Sequence, residues 1–526
     1  MLLSRFNTSS DEFPLHVRLM VTGMATAQRM RRHLRQESLV LLGVSLIAAC
    51  APPARPPQFA PRSHVPLAGT PTGTANWPQQ QWWKRYGDPQ LNRLMALATR
   101  DSPDLQQAQA RYTAAERAVD TQEAQLNPQV RGYVSGAHAY SKVVTHAQPG
   151  GGASGSQELS LPTKHSWSND GLAAALFSWD LDVWGKQKDA VAQAIGQANA
   201  AKAECAMAAN SLHYNVARTY FDWQSQQARL QWARQAARDA AAYRKLVALR
   251  VHAGLDDPQL LDQADARVAE QQRNIASLEG ASSLDLVQLA AVAGVSMQEL
   301  GTLQAHALPA PDTNVPPYAG LELIGRRPDI VANRWQIEAS VKGIDAARAA
   351  YYPDVSLLAL GAYLRAFPDL GSGTRANIGL GNFGASVSLP IFSGGRLKAQ
   401  LESQQAALDN AVAIYNGTVV QAAHDVAQQI ATLQQLRAQQ IQTDRQLADV
   451  ATQDQRADRR RRQGLDDDRS WLGLQMQLAQ QRDAQVQISS QLLTANLALI
   501  YALGGGYHER VVPDLPAGPT AQDASR

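Results

Sequence analysis

Any chemistry in this 526-residue chain would have to come from two cysteines, eleven histidines and a few closely spaced carboxylates. Asp180 and Asp182 stand two apart, a spacing that suits a general acid and base, or half of a metal site. They close an alternating run, however, and polar positions at the foot of a strand are the simpler interpretation. Gly150-Gly151-Gly152-Ala153-Ser154-Gly155 has no Lys-Ser/Thr ending and no helical pattern after it, so it is a flexible loop and not a phosphate cradle. The histidines are scattered without ligand spacing. Cys205 lies in an alanine-rich helical pattern with no His or Asp at a recognisable spacing, the setting of a small packing residue. No enzyme motif survives, and no cofactor or metal is implied.

Cys50 differs. It follows a basic stretch (Arg29, Arg31, Arg32, Arg35), an apolar stretch from Leu39 to Ala49 and small residues, the layout of a secretory signal. About 11 apolar residues are too few to span a bilayer, which takes about 20 as a helix. Ile47-Ala48-Ala49-Cys50 resembles the bacterial lipobox, in which the thiol receives a diacylglyceryl group and the new amino terminus a further acyl chain. Two or more chains anchor a protein stably. Ala51, in place of Asp, resembles the outer-membrane sorting choice. A plain signal peptide with an incidental cysteine is the alternative, and translation starts at Met20, Met24 or Met30 are open. Residues 1–49 carry six Arg against three acids, which accounts for the whole net charge of +3. The neutral remainder argues against nucleic acid as a partner, since phosphate recognition needs accumulated Lys and Arg.

The other pattern of chemical character occurs twice. Gly254-Leu255-Asp256-Asp257 recurs as Gly464-Leu465-Asp466-Asp467, 210 residues on, and each copy follows Gly185-Lys186 or Gly395-Arg396 by 69 residues. A duplicated unit of this size outranks any single motif. Each half reads strand, very long helix, Gly-Asp turn, returning helix, stop at Gly294 or Gly504. Glycine suits a tight turn that needs positive φ, and the acids after it suit the start of the returning helix.

Elements must position these turns. Residues 187–250 and 397–460 are rich in Ala, Gln and Leu, lack proline, and would run to roughly 95 Å each as helices. Helices so long do not fit inside one compact domain, and no heptad seam is kept over their length as a coiled-coil rod needs. Ahead of them lie strand-like runs at 129–141, 167–184 and 355–364, and Phe383, Ala385, Val387, Leu389 and Ile391 alternate with small polar residues. Period-two alternation over this length fits transmembrane strands. Four strands cannot close a barrel, and open edges cannot stay unpaired in lipid. Several chains must share one barrel.

These motifs resemble the TolC-like outer-membrane efflux factors, in the lipoprotein branch and of the fusaric-acid-resistance type. Trp82-Trp83 with Asp88-Pro89-Gln90-Leu91 is similar to the family's opening signature. Trp179-Asp180-Leu181-Asp182-Val183-Trp184-Gly185-Lys186 and Pro390-Ile391-Phe392-Ser393-Gly394-Gly395-Arg396 resemble its strand-to-helix junctions. Arg326-Arg327-Pro328-Asp329-Ile330 and Ala346 to Pro353 resemble the start of its second half. The resemblance implies a mainly α fold with a small β part: long helical hairpins in a homotrimeric α-barrel topped by a shared twelve-strand β-barrel in outer membrane lipid. It implies a passive exit duct joined to an inner-membrane pump by a periplasmic adaptor, exporting small toxic compounds or antibiotics. The expected organisation is 1–49 signal, 50–78 unpacked Pro-rich tether, 79–294 first repeat, 295–325 connector, 326–506 second repeat and 507–526 disordered tail.

The resemblance places adaptor docking at Arg250, Gly254, Leu255, Arg460, Gly464 and Leu465. A solvated face is the competing interpretation of Arg459 to Arg462. Relatives carry an acid two to three turns past the second tip glycine that narrows the pore, whereas this chain has Ser470-Trp471-Leu472-Gly473 there. Asp466, Asp467 and Asp468 are the nearest acids and the expected constriction, with Asp262 and Asp265 in the first copy. A protein-secretion duct of the same fold and a periplasmic coiled-coil scaffold lipoprotein that never inserts are the alternatives.

Overall fold

The computed structural model describes residues 55–62, 77–143, 164–311, 325–366 and 376–516. Cys50 lies outside them. In chain order the elements are a 3-10 turn (Trp82–Tyr86), α1 (Pro89–Asp101), α2 (Pro103–Ala124), β1 (Gln129–Val143), β2 (Lys164–Leu181), α3 (Lys186–His252), α4 (Pro258–Ala293), α5 (Met297–Leu300), α6 (Pro328–Ala349), β3 (Asp354–Ala366), β4 (Ala376–Ser388), α7 (Arg396–Arg462) and α8 (Asp468–Ala502). The α3 and α7 helices are each 67 residues long and begin 210 residues apart; α2 and α6 are each 22. The chain divides into two compact units, one holding the strands and one most of the helical residues.

The strand unit is a four-stranded antiparallel sheet in the order β1-β2-β3-β4. Its strands run 15, 18, 13 and 13 residues. β4 starts at Ala376 and stops at Ser388, short of Leu389 and Ile391, because Pro390 has no N–H to give to a ladder. Directly opposed residues share a face, so the register sorts the sheet. One row joins Val130, Phe177, Ala359 and Phe383, and rows beside it join Trp179 to Leu357 and Ala385, and Leu181 to Val355 and Val387. The neighbouring row, on the other face, joins Arg131, Leu176, Leu360 and Asn382, and that face also carries Ser178, Asp180, Ser356 and Ser386. One face is thus apolar through its centre and the other mixed. Phe383 is 91% and Val134 84% exposed on the apolar face. Among the described residues no further strand pairs with the outer edges of β1 and β4.

The junction motifs have local jobs. Asp182 accepts from the N–H groups of Gln187 and Lys188 (3.0 and 2.8 Å), capping α3 where its first amides lack partners. The Trp184 indole donates to the Pro353 carbonyl (2.9 Å) and stacks on Tyr352, and Lys186 pairs with Asp354 at 3.1 Å.

In the helical unit the opening signature forms a core. Trp82, Trp83, Leu91, Leu94 and Met95 pack with Val216, Tyr220, Phe221, Leu289, Ala293 and Leu493. Asp88 caps α1 through Gln90 and Leu91 and accepts from the Tyr220 hydroxyl at 2.6 Å. By length and composition α4 has a stretch apolar enough to cross a membrane, yet its Leu289, Ala290 and Ala293 lie in this core. Arg327 is a buried clasp: it pairs with Asp329 (2.6 Å) and Asp425 (3.2 Å) and donates to the Ala502 carbonyl (3.2 Å).

Two stretches expected to be unpacked make contacts. In the expected tail these are at Tyr507, Val512 and Pro513. Tyr507 and Val512 lie against Ala203, Val331 and Ala332, Arg334 donates to the Pro513 carbonyl, and the Gly504 to Gly506 run, all at positive φ, brings the backbone so close to Arg326, Asn210 and Gln79 that a methyl group would overlap them. The Pro-rich tether is not free of packing either, since residues 58–62 hydrogen-bond to α7.

Candidate functional site

The repeated tetrapeptides form two near-identical helix-ending turns. At the first, the Leu255 N–H bonds back to the Arg250 carbonyl (2.9 Å) and the Gly254 N–H to Val251 (3.0 Å); at the second, Leu465 bonds to Arg460 and Gly464 to Arg461, both at 2.9 Å. This paired pattern closes a helix through a left-handed residue, and the glycines sit at φ 68° and 71°. The first aspartate of each copy takes both nitrogen faces of the arginine four residues before the glycine: Arg250 to Asp256 at 2.8 and 3.1 Å, Arg460 to Asp466 at 2.7 and 2.9 Å. The second aspartate caps the returning helix, Asp257 through the Gln259 N–H (2.8 Å) and Asp467 through that of Ser470 (3.2 Å). Every polar member of the motif is accounted for by the turn. The remaining member, leucine, points to solvent: Leu255 and Leu465 are each 63% exposed.

Both expected tips are turns at the ends of the long helices. Arg250 and Arg460 hold the turns before they can hold anything else. The expected acid ring is not bare: Asp466 pairs with Arg460, Asp467 with Arg469 (2.7 Å) and Asp468 with Arg461 (3.4 Å). Hydrogen bonds from Arg460 hold the Asp466 carboxyl below its usual range. For Asp467 burial pushes upward, and bonds from Arg469 and the Ser470 N–H outweigh it.

Two contacts of consequence have no trace in the motif. Arg469 also reaches Asp256 at 2.7 Å, which ties one tip to the other, and the Asp256 side chain is only 10% exposed. Trp471 lies under Arg461 at 4.5 Å, a cation–π contact. Both stand where the duplication breaks, since the first copy has Gln259 and Leu261 at those places. A side-by-side reading of the halves for differences, and not only for likeness, would have found them. Asp256 is held below its ordinary 3.8, first by hydrogen bonds from Arg250 and then by the charges of Arg250 and Arg469. Its pairing is complete above pH 3.8 and is lost only as pH falls through the lowered value. Mild acidification leaves the tie between the tips intact. Among the described residues no three His, Cys, Asp or Glu side chains come together as metal ligands do.

A profile described as outer membrane efflux protein matches residues 94–295 and 321–505. The chain is 32% identical over 338 residues to the fusaric acid resistance protein FusA of Burkholderia cepacia, a match covering 63% of this chain and 61% of that relative. It is 30% identical over 481 residues to the multidrug resistance outer membrane protein MdtP of Escherichia coli K12, covering 89% and 96%. Among solved structures it resembles the outer membrane protein VceC of Vibrio cholerae (30% identity, TM-score 0.67, 82% of this chain and all of that one). In fold it is also like the CmeC outer membrane channel of Campylobacter jejuni (20% identity, TM-score 0.71, 88% and 96%).

Proposed function

The chain belongs to the outer membrane efflux protein family, and from that premise we propose that it is the passive exit duct of a tripartite pump that expels small toxic compounds, inner-membrane pump and periplasmic adaptor supplying the energy and the link. The observation that carries this reading is a sheet apolar on one face whose two outer edges meet no further strand among the described residues. In lipid such edges must be closed, β4 of one chain runs antiparallel to β1 of the next, and three chains give twelve strands. No catalysis and no cofactor enter. FusA and MdtP favour aromatic weak acids or antibiotics as cargo over secreted protein.

Lipid at Cys50 would fasten each chain to the outer membrane, and the turns of α3 and α7 would meet the adaptor. Their exposed leucines are the knobs, the glycines let helices approach closely, and Arg250 and Arg460 hold the turn while keeping exposed nitrogens toward a partner. Purified protein in planar bilayers is expected to conduct and to run as a heat-resistant trimer, and a deletion strain to lose resistance. A non-conducting monomer would leave the scaffold alternative standing.

The same reading puts the narrow end of the duct at the tips, including Asp466, Asp467 and Asp468, with the Arg469–Asp256 bridge as its latch. A charge-assisted hydrogen bond is stronger than a neutral one, and a shift of about tenfold in an equilibrium is a small part of a protein's stability. Arg469→Ala is therefore expected to raise the open fraction of single channels about tenfold, while Arg469→Lys keeps part of the closure. An Arg469→Ala channel gating like the wild type would remove the latch. Equal conductance after Asp→Asn at positions 466, 467 and 468 together would remove these acids from the constriction.

A further inference from the structure

The segment that follows Cys50 is held on α7 by contacts that read its backbone. The Gln58 N–H donates to Asp409 Oδ1 (2.6 Å) and the Arg62 N–H to Asn416 Oδ1 (2.8 Å). The Asn416 amide donates in turn to the Ala60 carbonyl (3.0 Å), and the Tyr415 hydroxyl to that of Arg62 (2.9 Å). Asn416 thus takes a carbonyl and an N–H two residues apart, as a neighbouring strand would. Pro57 is buried, whereas Phe59 is half exposed and Arg62 exposed, so the side chains contribute little beyond one proline.

The spacings match. Asp409 and Asn416 lie seven residues apart on α7, roughly 10 Å along a helix. Gln58 and Arg62 lie four apart, at most roughly 12 Å if fully extended as polyproline, and the backbone bends at Gln58 and Phe59, which shortens that span toward the helix spacing. Pro52, Pro53, Pro56, Pro57 and Pro61 lower the entropy lost on docking. The segment runs parallel to α7, its upstream end toward the start of the helix. Cys50 is eight residues before Gln58, a reach of at most about 29 Å. Asp409 is 13 residues into α7, about 20 Å from its first turn.

We infer that Asp409, Tyr415 and Asn416 form a clamp that straps the arm carrying the Cys50 lipid to α7, so that the anchor is held at a fixed height along the helix and does not swing on a loose tether. The role as lipid strap rests on the lipoprotein reading, while the clamp itself does not. The clamp takes a proline-rich backbone that bends at Gln58 and Phe59 and is indifferent to most of its side chains.

Trypsin provides the test on the whole purified oligomer. Arg55 precedes proline and resists cleavage, so Arg62–Ser63 is the first cleavable bond after Cys50, and both the amide and the carbonyl of Arg62 are held by the clamp. Release of the peptide ending at Arg62, followed by mass spectrometry, is expected to be at least about tenfold faster in Tyr415→Phe/Asn416→Ala than in the wild type, a difference of about 1.4 kcal/mol in docking. Asp409→Ala, an independent change at the other end of the clamp, is expected to act in the same direction. A heat-resistant oligomer in each variant establishes that the fold is kept. Equal release from wild type and both variants overturns the clamp. Palmitate labelling reports on the lipid separately: an unlabelled Cys50 beside a protected Arg62 removes the strap role and leaves a clamp on an unlipidated arm.

Discussion

Phe383→Lys is expected to abolish the membrane-inserted oligomer, whereas Asn382→Lys, one residue away, leaves it intact. The two positions occupy opposite faces of the same strand. Phe383 shares its row with Val130, Phe177 and Ala359, and Asn382 shares the next with Arg131, Leu176 and Leu360. A lysine facing lipid at mid-depth costs about 2–4 kcal/mol, and each closed barrel would carry one from every chain. On the other face Arg131 already stands in the row, where the proposed duct holds water. The measurement is the heat-resistant oligomer recovered from outer membranes, with total protein as reference. Equal recovery of the two variants would contradict the face assignment. Recovery of Phe383→Lys with loss of Asn382→Lys would mean that the sheet is inside out.

This contrast shows which parts of the molecule can be read without coordinates. Alternation from Ala173 to Leu181 and from Phe383 to Val387 fixed two strands and their faces, because side chains in a strand alternate without drift. It could not say that Phe177 lies opposite Ala359, since pairing across 182 residues leaves no local trace. The tips were legible because glycine at positive φ and aspartate at a helix start are local necessities. Arg469 was not, since its partner Asp256 is 213 residues away. Proline suggested a free tether, and that failed for a physical reason: the same stiffness that keeps a segment from folding on itself makes it cheap to bind on a helix. The tail after Gly506 makes contacts of the same non-local kind. Its anchor points, Val331 and Arg334, lie on another helix.

Gly464→Val is expected to uncouple efflux while the oligomer still assembles. Gly464 has open space where a side chain would go, so the effect is one of backbone and not of crowding. At φ 71° a β-branched residue is strained, by about 1–3 kcal/mol at a single position. The turn relieves that strain by leaving the left-handed region. The bond from the Leu465 N–H to Arg460 then breaks, and with it goes the geometry that presents Leu465 and aligns Arg460 with Asp466. The sheet pairing and the Trp82 core contain none of these residues, so assembly has no reason to fail. Gly464→Asn separates shape from strain, because asparagine tolerates the left-handed region and is expected to keep most of the activity. Drug resistance in a deletion strain carrying each variant is the readout, beside crosslinking to the adaptor. With the oligomer intact, resistance in Gly464→Val should fall to that of the deletion strain. Normal resistance there would refute docking at the second tip, and Gly254→Val poses the same question for the first. A loss in one and not the other would show that the tips are unequal, with Arg459, Arg461 and Arg462, which have no counterpart in the first copy, as the first residues to test for which tip the partner grips.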